Sequence, residues 1–216
     1  DRPADVGIAI KGKTKVSTQL NEDILGYRKL GKVNEIIYNS SFDNEEIHGW
    51  YITPPNFDPS KKYPLILEIH GGPHLAYGPH FSAELQIMAA SGYIVFYDNY
   101  RGSSSYGEDF ALLLQYKYSS KEDFADHMSG IDALIDKGIV DENNLFIAGG
   151  SAGGIATAYA IGLTDRFNAA VSANNLYNAL KKAMGLEVTT DKKETKESFE
   201  LWEIAPSFDY SGLREK

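Results

Sequence analysis

Three apolar runs in this chain each pass straight into a glycine-bearing turn: "LILEIHGG" (65–72), "YIVFYDNYRG" (93–102) and "LFIAGG" (145–150). Continuous apolar runs of this length, bounded by glycine, suit strands buried on both faces. Helical spacing separates them. "HFSAELQIMAASG" puts Phe81, Leu85 and Met88 on one helical face, with Gly92 as the stop. "SSKEDFADHMSGIDALIDKG" spaces Phe124, Met128, Ile131, Ile135 and Ile139 likewise. Ser119 or Ser120 caps its start, and Glu122 and Asp123 face the positive end of its dipole. "SAGGIATAYAIGL" then reads as a helix and "FNAAVSAN" as a strand. This alternation predicts an α/β fold with a doubly wound, mostly parallel sheet and helices on both faces.

Upstream, "VNEIIYNSS" (33–41) and "IHGWYITP" (47–54) read as strands joined by a hairpin turn at "FDNEE". Residues 1–30 hold Gly7, Gly12 and Gly26 but no long periodic segment. "TTDKKETKESFE" (189–200) reads as a solvated charged loop or helix. The formal charge of −9 argues against nucleic acid or an anionic membrane as the main partner. No apolar run approaches a membrane span, and "DRPADVGIAI" lacks the layout of a signal peptide. The compartment stays open: a soluble protein, cytoplasmic or exported by a signal outside this chain. With no cysteine, disulfides, thiolate zinc sites and a cysteine nucleophile are excluded.

In sheets of this kind ligands bind at the carboxyl ends of the strands. "HGGPH", "YRGSS" and "GGSAGG" all follow strands, so they are expected at one edge. Gly149-Gly150-Ser151-Ala152-Gly153 fits G-x-S-x-G between a strand and a helix. A serine at the tip of so sharp a turn exposes its hydroxyl, and its neighbours must be small for the turn to close. The helix N-terminus behind it offers backbone N–H groups to a developing oxyanion. A phosphate loop fails on detail, because no Lys-Ser/Thr follows the glycines and G-x-G-x-x-G is absent. A plain small-residue packing turn is the bland alternative. The glycine pair in "HGGPH" (70–74) stands where such serine chemistry takes its second oxyanion donor, which makes Gly72 and Ala152 the candidate donors beside Ser151. His70, His74 and His80 fit no common zinc spacing. No metal or other cofactor is expected.

"YPLILEIHGGPH", "GYIVFYDNYRGSSSYGEDF", "GIVDENNLFIAGGSAGG" and "TDRFNAAVSAN" occur in that order. Together they resemble the catalytic domain of the prolyl oligopeptidase family of serine peptidases, in its acylaminoacyl-peptidase-like branch. The likeness runs from about residue 33 to the end. It implies an α/β-hydrolase domain over 31–216, with residues 1–30 similar to the tail of an N-terminal β-propeller and its linker. It also implies Ser151 as nucleophile, Gly72 and Ala152 as oxyanion donors, and a peptide or acyl-peptide substrate. Arg101 resembles the residue of a turn that organises the loop beside the site; a surface arginine tying down that loop and a direct substrate contact both remain open.

The pattern is incomplete. In α/β-hydrolases the triad runs Ser, then Asp or Glu, then His. All five histidines here (His48, His70, His74, His80 and His127) precede Ser151. Asp209 reads as a loop residue. The expectation is a hydrolase domain incomplete at its C-terminus, whose Asp and His come from the remainder of its polypeptide or from a complementary chain. His74 is the upstream histidine nearest by strand-end geometry. Hydrolysis of peptide or acyl-amide bonds through an acyl-serine is the expected activity. The alternatives are an esterase on the same machinery and a catalytically silent module, either a naturally shortened pseudoenzyme or a fragment that binds a complementary chain.

Overall fold

The computed structural model describes residues 2–173. The charged segment 189–200 and Asp209 lie outside the described residues. Residues 7–16 form a two-stranded antiparallel sheet, β1 (Gly7–Ile10) and β2 (Lys13–Val16). Lys11 and Gly12 turn it with φ of 49° and 75°, the pair of positive angles that suits a two-residue hairpin. A single helical turn follows, α1 (Glu22–Leu25). Four-residue strands give too little periodicity to be read from sequence, and both are exposed along their whole length.

The main sheet begins with β3 (Lys32–Asn39) and β4 (Glu46–Thr53), an antiparallel hairpin in register from Lys32 opposite Thr53 to Asn39 opposite Glu46. β5 (Tyr63–Ile69) follows the proline-rich loop. Next come α2 (Ala83–Ala90), β6 (Ile94–Asn99), α3 (Glu108–Leu112) and α4 (Lys121–Asp136). β7 (Val140–Gly150), α5 (Ala152–Leu163) and β8 (Phe167–Ala173) complete the described chain. The strand order is β3-β4-β6-β5-β7-β8. β6, β5, β7 and β8 are mutually parallel, and β4 joins β6 antiparallel. The sheet is therefore mixed: the hairpin extends one side of the parallel set.

Side chains alternate across β6. Ile94 and Phe96 pack with Leu65, Leu67 and Ile69 under Met128, Ile131 and Leu134 of α4 and Ala156 and Ala160 of α5. Val95 and Tyr97 turn to the other face, with Trp50 and Ile52 against Leu85 and Ala89 of α2. Helices thus cover both faces, as expected for a doubly wound sheet.

Details of the helices differ from their sequence reading. α2 buries Leu85, Gln86 and Ala89, while Phe81 precedes the helix and Ser82 caps it. Gln86 is drawn inward because its amide both accepts from the Gly31 N–H (2.7 Å) and donates to the Gly31 carbonyl (3.1 Å). In α4 Ser120 is the cap, closing a capping box with Asp123, and Ile139 lies beyond the helix end. Among the described residues no helix is long and apolar enough to cross a membrane.

Candidate active site

Ser151 sits between β7 and α5 with φ 56° and ψ −118°, a conformation L-residues rarely adopt. Such strain costs about 1–3 kcal/mol and persists only where the surroundings impose it. Here they do. The Ser151 N–H donates to the Ala173 carbonyl (2.9 Å), and the Ser151 carbonyl accepts from the Ile155 N–H (3.2 Å). Glycines let the neighbouring backbone close in: a Cβ on Gly153 would fall on the Ile69 carbonyl, and one on Gly149 on the Gly153 carbonyl. The residue is exposed, and among the described residues its hydroxyl has no hydrogen-bond partner.

Ile69 lies opposite Gly149 in the parallel β5–β7 ladder, so the turns after these strands emerge side by side. A Cβ on Gly71 would meet the Gly150 carbonyl at 3.0 Å and the Ser151 Cβ at 3.1 Å. Gly72 follows with φ 118°. Among the described residues its N–H donates to no acceptor. Ala152 opens α5, where the first N–H groups of a helix lack an intrahelical acceptor. The Tyr118 hydroxyl donates to the Ala152 carbonyl.

A second loop, 100–106, braces the first. His74 Nδ1 bonds the Gly102 carbonyl (3.1 Å), and the Ser104 N–H donates to the Leu75 carbonyl (2.9 Å). The Asn99 amide clamps Tyr77, accepting from its N–H (2.6 Å) and donating to its carbonyl (3.0 Å). Arg101 holds this loop from beneath. It is 1% exposed, so the reading of a surface arginine is corrected. Its guanidinium meets Asp126 through Nε (2.9 Å) and Nη2 (2.8 Å), and Asp43 through both Nη atoms (2.9 Å each). Burial opposes its charge, but the hydrogen bonds it donates to Asp126 and Asp43 outweigh that and raise its pKa. All these contacts belong to the scaffold.

Four of the five histidines have hydrogen-bond partners other than Ser151. His70 bonds the Gly71 carbonyl and Ser103. His48 bonds Glu35 and Tyr106. Buried His127 bonds Asp98, which also accepts from the Tyr38 hydroxyl (2.7 Å). No described hydrogen bond joins His74 to Ser151. Sequence reasoning missed Asn99 and Asp126 as braces of the site. The signal lay in "YDNYRG": charged and amide groups inside a strand buried on both faces must find partners.

The family model for the "Prolyl oligopeptidase family" matches residues 79–214. The chain belongs to the prolyl oligopeptidase family. Among its relatives is the "Uncharacterized peptidase YuxL" of Bacillus subtilis (strain 168), 36% identical over 180 residues that cover 82% of this chain and 27% of that protein. The Arabidopsis thaliana "Acylamino-acid-releasing enzyme" is 39% identical over 116 residues, 53% of this chain and 15% of that protein. A solved structure of Pyrococcus horikoshii acylaminoacyl peptidase superposes with a TM-score of 0.72 at 34% identity, covering 79% of this chain and 27% of that one. The matched region thus spans about a quarter or less of these family members. The parallel strands, flanking helices and strand-to-helix serine turn are the α/β-hydrolase arrangement that the sequence resemblance implies.

Proposed function

We propose that this chain carries the nucleophile and oxyanion hole of a serine peptidase that hydrolyses peptide or acyl-amide bonds of short peptides. The observation that carries this reading is the backbone of Ser151, held at φ 56° and ψ −118° with its hydroxyl exposed beside Gly71. Ser151 Oγ attacks the scissile carbonyl and forms a tetrahedral intermediate. The N–H groups of Gly72 and Ala152 take its negative oxygen, each worth about 3 kcal/mol of transition-state stabilisation. Collapse expels the amine and leaves an acyl-serine, which water then hydrolyses. The serine proton needs a base. His70, His74, His48 and His127 bond other groups, among the described residues His80 makes no hydrogen bond to Ser151, and no histidine follows Ser151. On this reading the base and the acid that orients it are supplied by polypeptide outside these 216 residues. The chemistry needs no cofactor. On the same reading, residues 1–30 are the tail of a separate N-terminal β domain, consistent with the exposed β1–β2 hairpin.

A fluorophosphonate probe tests the assignment. On the full-length protein it should label Ser151 stoichiometrically, and Ser151→Ala should abolish labelling and all turnover. Labelling at another residue, or none, sinks the reading. Turnover of esters without amides would shift it to an esterase. Without the base, turnover should fall by on the order of 10⁶.

A further inference from the structure

His48 lies opposite Asn99 where β4 pairs with β6, at the carboxyl end of the parallel strands. In β3 it faces Ile37, and Glu35 stands two residues away on the same face. A polar relay forms there. His48 Nε2 meets Glu35 Oε1 at 2.6 Å, and His48 Nδ1 meets the Tyr106 hydroxyl at 2.9 Å. The ring packs on Trp50, with centroids 4.2 Å apart. The proton positions follow from the partners. A carboxylate only accepts, so Nε2 of the neutral ring carries the proton and Nδ1 offers a lone pair. The Asn99 amide is fixed, because its Oδ1 accepts from the Tyr77 N–H (2.6 Å), and its Nδ2 therefore donates to the Tyr106 oxygen (2.9 Å). The single phenolic proton is left for His48.

We infer that Tyr106 is a second nucleophile, with His48 as its general base and Glu35 orienting that base, and that it takes acyl groups from activated esters bearing a positive charge. Carboxylate, imidazole and hydroxyl in this order are the arrangement that activates a weak nucleophile. The ester has a place to sit. Tyr106 lines an open groove of about 360 Å³, together with Phe110, Leu113 and the carboxylates of Glu45, Glu46 and Asp109. The apolar side chains suit an aromatic acyl group, and the three carboxylates draw a cation attached to it. Ser151 takes no part, so the inference stands apart from the peptidase reading.

The step balances. Tyr106 Oη attacks the ester carbonyl and its proton passes to His48 Nδ1. The bond from the carbonyl carbon to the aryl oxide breaks, the aryl oxide departs with the electron pair, and His48 releases the proton to water. An acyl-tyrosine remains. Burial raises the Tyr106 pKa, so the resting phenol is neutral and needs the base. The Asn99 amide N–H steadies the phenolic oxygen as it gains charge. The product is one acyl group per chain rather than turnover.

The test uses the full-length protein carrying Ser151→Ala, treated with p-nitrophenyl p-guanidinobenzoate, with the acyl group located by peptide mass spectrometry. Tyr116, 98% exposed, is the internal reference. Tyr106 should be acylated about 100-fold faster than Tyr116, the gain a positioned general base supplies. His48→Gln should bring Tyr106 down to the Tyr116 rate. Glu35→Gln should lower the Tyr106 rate about tenfold, because the imidazole then loses its orienting charge. Neutral p-nitrophenyl acetate should show a smaller preference for Tyr106 than the cationic ester. Thermal midpoints report folding; if His48→Gln does not fold, the exposed Glu35→Gln and the ratio of the two tyrosines decide. The inference is overturned if Tyr106 reacts less than about tenfold faster than Tyr116. It is equally overturned if a folded His48→Gln or Glu35→Gln keeps the parent rate, or if the neutral ester shows the larger preference. Because Ser151 is absent from every arm, failure here leaves the peptidase reading standing, and failure of that reading leaves this one.

Discussion

Tyr100 lies between two histidines, stacked on His70 and tilted 4.8 Å from His127, and their surroundings pull them opposite ways. Burial lowers the His70 pKa. Burial also opposes charge on His127, but the Asp98 carboxylate outweighs it and raises that pKa. NMR titration of the imidazole protons should find His70 protonating below the ordinary histidine value of ~6.5 and His127 above it. The signs carry into stability. The His127 contribution is fully present below ~6.5 and is lost as pH rises through its folded pKa, whereas His70 costs stability as pH falls below ~6.5. Asp98→Asn should remove the first dependence and leave the second; equal pKa values for the two rings would refute this account. Arg101 gives a larger effect. Its partner Asp126 is fully buried, so Arg101→Met should cost about 3–5 kcal/mol in denaturant unfolding, through the uncompensated carboxylate left behind. A loss below 1 kcal/mol would show that the loop does not depend on this pair. The turns that carry Ser151, Gly72 and Ala152 were legible because glycine spacing is a local property. It left Arg101 undecided because burial depends on where residues 43 and 126 arrive in space.

The junction of β7 with α5 explains why that glycine pattern could be read at all. Gly153 lets the helix rest on the Ile69 carbonyl, and Gly154 lies where a Cβ would meet the Ala173 carbonyl at 2.9 Å. The obstacles are backbone atoms, which cannot rotate away. Gly153→Ala should lower the thermal midpoint by more than 10 °C or prevent folding, whereas Gly162→Ala, where a Cβ meets nothing within 4 Å, should leave it near the parent value. Similar midpoints for the two variants would contradict this packing. Other elements were harder to read. α3 is five residues long, too short for a helical period to declare itself. In α2 the apolar pattern suggested Met88, but a polar side chain, Gln86, takes the inward place because the Gly31 backbone needs both of its hydrogen bonds. Local pattern predicts which segment is a helix more surely than which side chain answers a distant backbone.

Across the molecule, Gly31 marks where the chain joins the main sheet. Before it, Val6, Ile8, Ile10, Val16, Leu20, Ile24 and Tyr27 are exposed, and after it Ile36, Ile47 and Trp50 are buried. Limited trypsin digestion should cut first after Arg28 or Lys29, leaving a resistant fragment that begins near Leu30. Early cleavage within β5–β7 would contradict a boundary there. The hairpin's strands were legible from sequence, but its junction with β6 was not, since pairing between distant strands leaves no local mark. The parallel pairing of β5 with β7 has a consequence for divergence in this family. Ser151 and Gly71 leave neighbouring strands, so their separation is set by the hydrogen-bond spacing of a sheet, about 4.8 Å, which no side chain can tune. Outlying loops are free to drift without recalibrating the gap between the serine turn and the glycine turn, because the ruler that measures it is the backbone.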